Sequence, residues 1–338
     1  MTTAVYVADR EAAERMGVAG QLRKRGFDVR TGSEFAASAE QVAAEIGEAR
    51  AVCTALSQIS AAVMDAAPEL QLIVKSGIGV DNIDVAAACE RGLPVLRAGG
   101  VNSEGPAEWV IGAAIALLRR FGAMDAAIRR GEWSDLRRSS SGLLPALTGR
   151  TLGIAGLGSI GSRLALLGRA HGMEVIAYDP YLPAEAAAAS GARIVAREEL
   201  FRTAGVLSLN VVLTEQTRHF VSTAELELMR PDAVLLNCSR GPVVDQAALA
   251  AALTEGEIAG AAIDVFEAEP PAADNPLFAL ENVLLTPHLA GCTDYGYREI
   301  GELTAELVQR FFVGEPVPRR SVASEAESLA VEPAGAVG

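Results

Sequence analysis

The sequence has few cysteines, few aromatic residues and no surplus of positive charge. Its four cysteines, Cys53, Cys89, Cys238 and Cys292, lie far apart and form no CxxC pair. We therefore expect neither a disulfide framework nor a metal site, and we expect a reducing, cytoplasmic compartment. Only 5% of the 338 residues are aromatic while 50% are hydrophobic, which favours helices packed on a parallel sheet. The net charge of −14 argues against a nucleic-acid partner, which would require a basic surface.

The sequence also lacks a hydrophobic run long enough to cross a bilayer. Its most apolar long stretch, Trp109 to Leu118, lies between Glu108 and the pair Arg119-Arg120. A membrane-spanning helix needs about 20 apolar residues, so this stretch predicts a buried helix. The N-terminal segment is typical of a strand and not of a signal peptide. We therefore expect no membrane partner.

Short apolar runs alternate with amphipathic helical stretches along most of the chain. One series of strands is predicted between Val5 and Leu96, and a second between Thr151 and Thr286. A long helix from about Glu104 to Arg130 separates the two series, and a last helix covers Thr293 to Phe312. This alternation predicts the α/β class, with parallel sheets built from right-handed βαβ units. Two series imply two doubly wound domains, because one core rarely exceeds about 250–300 residues.

A glycine-rich turn gives the strongest local signal. Gly156, Gly158 and Gly161 follow a predicted strand and open a predicted helix. In a dinucleotide site the first glycine permits a tight turn, the second lets the backbone approach a pyrophosphate, and the third brings helix against strand. Asp179 ends the next predicted strand, where a carboxylate accepts hydrogen bonds from ribose hydroxyls and repels a 2′-phosphate. We therefore expect NAD in preference to NADP; the alternative is a turn that uses its glycines only for packing.

Three later predicted strands end in polar residues, and such ends share the ligand-binding edge of a parallel sheet. Arg240 follows the first strand, and a guanidinium can grip a carboxylate with two hydrogen bonds. A glutamate-rich segment follows the second strand, and His288 follows the third. A histidine beside a carboxylate suits the base that takes a hydroxyl proton as hydride leaves for nicotinamide. Taken singly, Arg240 and His288 are also compatible with structural roles, and His171 and His219 are expected to be surface or capping residues.

These motifs resemble those of the D-isomer-specific 2-hydroxyacid dehydrogenase family. The similarity is carried by Leu147–Gly161, Leu235–Asp245, Ala261–Pro270, Thr286–Thr293 and, more weakly, Lys75–Asp84. The resemblance implies a Rossmann NAD domain inserted into a flavodoxin-like substrate domain, and homodimers formed through the NAD domains. It assigns residues 1–100 and 289–318 to the substrate domain and 101–288 to the NAD domain. Residues 319–338 are rich in alanine, glutamate, proline and glycine, and we expect them to form a disordered tail.

The resemblance also implies roles for single residues. His288 is assigned as the acid/base, Glu269 as its carboxylate partner, and Arg240 as the group that orients the substrate carboxylate and polarises the reacting oxygen. Asp264 is assigned to the nicotinamide amide. The backbone N–H groups of Ser76, Gly77, Ile78 and Gly79 are assigned to the substrate carboxylate, and Lys75 is the cation expected beside the substrate. The other residues expected to contact the cofactor are Ser159, Ile160, Asn210, Val211, Thr217, Cys238, Ser239 and Gly291.

The chain departs from the family pattern at three places. Ser159 stands where an arginine is common in the glycine turn, and Asn210-Val211-Val212 stands where many members read His-x-Pro. Cys53 stands where phosphoglycerate dehydrogenases tend to carry an arginine for the substrate phosphate. We therefore predict a small unphosphorylated acid, such as glyoxylate, hydroxypyruvate or a lactate relative, ahead of 3-phosphoglycerate. Two alternatives are phosphite oxidation and, from another class of protein, an NAD-sensing binding protein similar to the co-repressors of this family.

Overall fold

The computed structural model describes residues 2–139, 144–182, 187 and 189–323. The chain divides into two compact units, one formed by Met1–Asn102 with Cys292–Gly338 and the other by Ser103–Gly291. Each unit has its own sheet, and the strands of both sheets pair in parallel. The predicted fold class, two parallel-sheet α/β domains, is confirmed.

The first unit is a five-stranded sheet with helices. Its strands are β1 (Ala4–Val7), β2 (Asp28–Thr31), β3 (Ala51–Thr54), β4 (Leu72–Lys75) and β5 (Val95–Arg97). Its helices are α1 (Val18–Lys24), α2 (Ala39–Glu45), α3 (Ala61–Asp65), α4 (Val85–Glu90) and α12 (Asp294–Val313). The strand order β2-β1-β3-β4-β5 is the flavodoxin-like order, whose ligand edge lies at the β1/β3 switch point.

Local sequence explains where several of these elements begin. The Asp84 carboxylate accepts a hydrogen bond from the Ala87 N–H at the start of α4. Thr293 caps α12 in the same way, and such caps satisfy N–H groups that a helix cannot bond itself. Helix α12 then packs Leu307 into the core below the sheet, so the last helix of the chain completes the first unit.

The second unit is a seven-stranded sheet. Its strands are β6 (Thr151–Ala155), β7 (Glu174–Tyr178), β8 (Arg193–Ile194), β9 (Val206–Leu209), β10 (Val234–Asn237), β11 (Gly260–Ile263) and β12 (Val283–Leu285). Its helices are α5 (Glu104–Leu118), α6 (Phe121–Arg129), α7 (Trp133–Ser139), α8 (Ser159–Ala170), α9 (Arg197–Thr203), α10 (Thr223–Leu228) and α11 (Gln246–Glu255). The order β12-β11-β10-β9-β6-β7-β8 contains the Rossmann order, with its switch point between β6 and β9.

The central strands of this sheet are covered on both faces. Leu235 packs in a core with Phe201 and Leu249, whereas its neighbour Leu236 packs in another core with Val110. Successive side chains of a strand point to opposite faces, so a strand buried on both sides reads as a continuous apolar run. This is why the strands could be predicted from short apolar runs.

The prediction of one helix from Glu104 to Arg130 is wrong. Helix α5 ends at Leu118 and α6 begins at Phe121. Between them Arg120 has a φ of 53°, a left-handed conformation that interrupts the helical hydrogen-bond ladder. The helical periodicity on both sides concealed this break.

The expected disorder of the tail is wrong for its first residues. Arg319–Ser321 form a 3₁₀ turn, Val322 pairs with Leu96, and the Ala323 N–H donates to the Val95 carbonyl. These bonds, with the burial of Val322 and Ala323, fix the segment against β5. Residues 324–338 lie outside the described residues. In the described part of the chain, every helix is too short or too polar to span a membrane.

Candidate active site

The glycine turn lies at the switch point of the second unit and needs glycine at two positions. Gly156 has a φ of 88°, and a Cβ there would lie 2.8 Å from the Asn210 carbonyl oxygen. A Cβ at Gly161 would lie 2.2 Å from the Gly156 carbonyl oxygen. Any larger residue at either position would collide with backbone, so the two glycines bring α8 and β9 close to the turn.

Gly158 differs from the other two glycines, because a Cβ there would meet no described atom within 4 Å. It precedes α8, which starts with Ser159 and Ile160 and has no side-chain cap. Nearby, Asn210 Oδ1 is buried and accepts no hydrogen bond from the described residues. Open space and a helix N-terminus fit an anionic pyrophosphate. The unpartnered Asn210 Oδ1 fits a hydrogen-bond donor of a dinucleotide, such as a hydroxyl group.

Asp179 follows β7 and is tied to the glycine turn. Its Oδ2 accepts the Leu157 N–H at 2.9 Å, and its Oδ1 accepts the Tyr181 N–H at 3.0 Å. Each carboxylate oxygen can accept a second hydrogen bond. The carboxylate is therefore oriented by the backbone and keeps the capacity to bind ribose hydroxyls.

The predicted cofactor residue Thr217 closes the loop that follows β9. Its hydroxyl donates to the Val212 carbonyl at 2.6 Å and accepts the Thr214 N–H at 2.7 Å. These bonds fix the loop that begins at Asn210 and Val211. The Thr217 hydroxyl therefore restricts the backbone of this loop, which lacks the proline of the His-x-Pro pattern.

Asn237, for which the motifs predicted no role, organises the turn that carries Arg240. Its side chain is buried, and its Oδ1 accepts hydrogen bonds from the Ser239 N–H at 3.0 Å and hydroxyl at 2.8 Å. Its Nδ2 donates to the Arg240 carbonyl at 3.0 Å. The available signal was a polar residue that ends an otherwise apolar strand. Within this turn, burial raises the pKa of the Cys238 thiol to about 12, so the thiol stays neutral.

Gly241 brings the Arg240 turn against the segment that precedes Glu269. A Cβ at Gly241 would lie 1.9 Å from the Phe266 carbonyl oxygen, so only glycine allows this approach. The Arg240 guanidinium donates to the Ser239 carbonyl at 2.7 Å, and its charge helps to lower the pKa of Glu269. The arginine and the glutamate therefore interact electrostatically.

His288 and Glu269 form a hydrogen-bonded pair. The imidazole Nδ1 lies 2.8 Å from Glu269 Oε2, and Glu269 Oε1 accepts the Phe266 N–H at 3.0 Å. Burial acts to raise the pKa of Glu269, but the hydrogen bonds from His288 and Phe266 and the charges of His288 and Arg240 outweigh it. The pKa of Glu269 therefore lies below its usual value, so the carboxylate is ionised near neutral pH.

The neighbouring Glu267 contacts a different histidine. Its Oε1 lies 3.1 Å from His219 Nε2 and accepts the Gln246 N–H at 3.3 Å. His171 is an exposed residue that follows the last turn of α8. Of the three histidines, His288 is the one paired with the glutamate that directly precedes a proline.

Asp264, which follows β11, anchors the loop that presents His288. Its buried carboxylate accepts hydrogen bonds from the Thr286 hydroxyl and from the Leu289 and Ala290 N–H groups, the latter two at 2.9 Å each. Its carbonyl accepts the His288 N–H at 2.7 Å. A carboxylate with three donors has capacity left for one more, so the expected nicotinamide contact would be its fourth.

The predicted substrate segment lies in the first unit, at the carboxyl end of β4. The Lys75 ammonium donates to the Ala55 carbonyl and, at 2.6 Å, to Asn82 Oδ1. Ser76 is buried and its hydroxyl accepts that of Thr304 at 3.3 Å. Gly77 has a φ of 148°, a conformation that favours glycine. Lys75 is therefore engaged in supporting the neighbouring loop.

The two units divide the predicted site residues between them. The second unit holds the three predicted catalytic residues and the predicted cofactor residues, of which Gly291 is the last residue of that unit. The first unit holds Lys75, Ser76, Gly77, Ile78 and Gly79.

Comparison with known proteins finds a matching family model and relatives named as dehydrogenases and reductases. Residues 111–290 match the model of the "D-isomer specific 2-hydroxyacid dehydrogenase, NAD binding domain". A D-3-phosphoglycerate dehydrogenase of Methanocaldococcus jannaschii is 40% identical over 260 residues, which are 77% of this chain and 49% of that protein. A glyoxylate reductase of Aeropyrum pernix is 38% identical over 283 residues, 82% of this chain and 84% of that protein. The chain spans about half the length of the phosphoglycerate dehydrogenases that it matches first.

Solved structures agree with these relatives. The D-lactate dehydrogenase of Aquifex aeolicus, solved with NAD and lactic acid, has a TM-score of 0.79 and is 26% identical, with 92% of this chain and 96% of that chain covered. The chain therefore belongs to the D-isomer-specific 2-hydroxyacid dehydrogenase family, and residues 111–290 match its NAD-binding domain.

Proposed function

We propose that this protein is an NAD-dependent oxidoreductase that interconverts a small D-2-hydroxy acid and its 2-keto acid. The observation that carries the proposal is the 2.8 Å contact between His288 and Glu269, with Arg240 and the glycine turn in the same unit. Relatives named glyoxylate reductase and D-3-phosphoglycerate dehydrogenase support this reaction class.

The residues divide the chemistry of 2-keto acid reduction among themselves. When bound, NADH supplies the hydride that C2 receives. Arg240 holds the substrate carboxylate and polarises the carbonyl, since a guanidinium can donate two parallel hydrogen bonds. Glu269 occupies Nδ1 of His288, so the imidazolium gives its Nε2 proton to the carbonyl oxygen as this becomes a hydroxyl. In the reverse direction the neutral imidazole takes that proton back.

The first unit favours an unphosphorylated substrate. Cys53 is fully buried in its core, so this position offers no group to a substrate phosphate. The Lys75 ammonium is already bound to Ala55 and Asn82. At the carboxyl ends of β3 and β4 the exposed side chains include Leu56 and Ile78, with 42% and 45% of their surface accessible. Apolar groups at the ligand edge suit a short, uncharged substrate side chain better than a phosphate.

A homodimer in the cytoplasm completes the proposal. Helices α6 and α7 expose three large apolar side chains, Phe121, Ile128 and Trp133, and exposed apolar surface is typical of a protein interface. The four cysteines are free thiols, a state that a reducing compartment maintains.

A screen of NADH consumption across 2-keto acids tests the proposal. The panel contains glyoxylate, hydroxypyruvate, pyruvate and 3-phosphohydroxypyruvate, and NAD with phosphite is assayed separately. We expect the highest kcat/KM with an unphosphorylated acid. A far higher kcat/KM with 3-phosphohydroxypyruvate, or turnover of phosphite alone, would overturn the substrate class. Tight NADH binding without turnover of any compound would instead indicate an NAD-sensing binding protein.

A further inference from the structure

His288 has an unusual backbone conformation for a proposed catalytic residue. Its φ is 55°, in the left-handed region that residues other than glycine rarely adopt. Its N–H donates to the Asp264 carbonyl at 2.7 Å and to the Thr286 carbonyl at 3.1 Å. Such a conformation persists only where surrounding contacts determine it, so the contacts of this loop decide where the imidazole lies.

The Asp264 carboxylate supplies two further contacts of this loop. It is 1% exposed and accepts the Leu289 and Ala290 N–H groups, the two residues that follow His288. A buried carboxylate is stable only when its oxygens accept several hydrogen bonds. Its third donor, the Thr286 hydroxyl, is therefore needed to hold the carboxylate in the orientation that binds the loop.

The orientation of the Thr286 hydroxyl is set by a residue on α5. The indole N–H of Trp109 lies 3.1 Å from Thr286 Oγ1. An indole nitrogen can only donate, and an ionised carboxylate can only accept. The single hydroxyl hydrogen must therefore point to Asp264, and the contacts form one directed chain from Trp109 through Thr286 to Asp264. Hydrogen bonds that share one direction strengthen one another.

We propose that Trp109 and Thr286 are positioning residues for His288: their hydrogen-bond chain fixes the Asp264 carboxylate, which in turn holds the 288–290 backbone. All residues of this hydrogen-bond chain lie in the second unit. The kinetic consequence rests on the proposed function, whereas the structural consequence, protection of the Leu289 and Ala290 amides, does not.

Two substitutions at Thr286 separate positioning from packing. Thr286→Val keeps the shape of the side chain and removes the hydroxyl, while Thr286→Ser keeps the hydroxyl and removes a methyl group. If the hydroxyl positions the loop, serine preserves function and valine does not. If the side chain only fills space, the order reverses, because loss of a methyl leaves a cavity.

The experiment measures kcat with the best 2-keto acid and amide hydrogen exchange over residues 286–291 in the full-length, NADH-bound protein. For Thr286→Val we expect kcat to fall by about 10- to 100-fold, since a misplacement of about 1 Å can cost 10²-fold. We also expect the Leu289 and Ala290 amides to exchange at least about 10-fold faster, because exchange reports local opening. Thr286→Ser should stay within about 3-fold of the wild type in both measurements.

Trp109→Phe, which removes the indole N–H, tests the first hydrogen bond of this series, the one from Trp109 to Thr286. It should lower kcat and amide protection by a smaller factor, and it should add nothing in the Thr286→Val background, because coupled residues are not additive. Thr254→Val is the matched control, because the Thr254 hydroxyl donates to the Ala250 carbonyl within α11. Amide exchange over residues 286–291 in this variant should match that of the wild type.

Wild-type turnover and exchange in Thr286→Val, or equal losses in the valine and serine variants, would overturn the proposal. If Thr286→Val does not fold, kcat and amide exchange of Trp109→Phe test the proposal in its place, and wild-type values of both would overturn it. If the wild type reduces no acid, the proposed function fails, but the exchange rates still test the positioning.

Discussion

At the scale of single residues, the contacts of Glu269 with His288, Phe266 and Arg240 determine its charge. The pKa of Glu269 lies below its usual value, because hydrogen bonds and neighbouring positive charges outweigh its burial. The carboxylate therefore keeps its charge over the range in which an imidazole ordinarily titrates.

Replacing Glu269 with glutamine should shift the pH profile of reduction. A carboxylate beside an imidazole favours the imidazolium form, and the neutral amide of glutamine does not. The alkaline limb of kcat/KM for the 2-keto acid should therefore move to lower pH, and the acidic limb of alcohol oxidation should move with it. Glu267→Gln is the matched control, since Glu267 contacts His219 instead. An unchanged profile in Glu269→Gln would contradict the pairing.

Removing the imidazole itself should abolish most of the turnover. For His288→Ala we expect kcat to fall by about 10²- to 10⁴-fold, the usual contribution of a positioned acid or base. NADH binding should change little. His171→Ala removes another exposed histidine of the same unit and should leave kcat unaltered. Turnover near the wild-type rate in His288→Ala, measured by NADH absorbance, would remove the assigned role.

At the scale of elements, two glycines of the β6–α8 turn have different surroundings. Gly161 faces backbone at a distance that excludes a Cβ, whereas a Cβ at Gly158 would project into open space. The two positions look equivalent in the sequence motif. The surrounding atoms show that one serves packing and the other leaves room for a ligand.

Alanine at these two positions should therefore change different properties, thermal stability at Gly161 and NADH binding at Gly158. Gly161→Ala should lower the Tm of the protein, because its Cβ would lie 2.2 Å from the Gly156 carbonyl oxygen. Gly158→Ala should leave the Tm nearly unchanged and weaken NADH binding by about 10-fold, or about 1.4 kcal/mol, because its methyl occupies the space for the pyrophosphate. Calorimetry and fluorescence titration give the two quantities. Unimpaired NADH binding in Gly158→Ala would contradict the placement of the dinucleotide.

The strands and the motif residues at their ends could be predicted because both depend on local sequence. Leu235 and Leu236 belong to a run that is apolar because both sheet faces are buried. The hydrogen-bond networks could not be predicted, because they join distant residues. Asp9, for example, accepts from the Thr54 hydroxyl 45 positions away, and Trp109 contacts Thr286 177 positions away. No periodicity connects such partners.

At the scale of the whole molecule, the exposed apolar side chains of α6 and α7 bear on assembly. Phe121 is 52% exposed and Trp133 is 61% exposed, on a chain whose net charge of −14 otherwise favours solubility. Covering such side chains in a symmetric interface removes apolar surface from water at about 25 cal/mol per Å².

The dimer should therefore depend on these helices. Light scattering should give twice the chain mass of 35.1 kDa for the wild type, and the double variant Phe121→Glu with Ile128→Glu should be a monomer. Phe278→Glu alters an aromatic residue that is 45% exposed elsewhere in the same unit, and it should remain a dimer. A monomeric wild type, or a dimer that survives the double substitution, would contradict the assigned interface.

Direct hydride transfer from the nicotinamide ring to C2 of a 2-keto acid can be tested by following a deuterium label. The protein is given pyruvate or hydroxypyruvate with NADH that carries deuterium at C4 of the nicotinamide ring. We expect a D-2-hydroxy acid with deuterium at C2 when the matching face of the ring is labelled, and almost none of this product with His288→Ala. A product of L configuration, or one without deuterium at C2 from either labelled face, would contradict it.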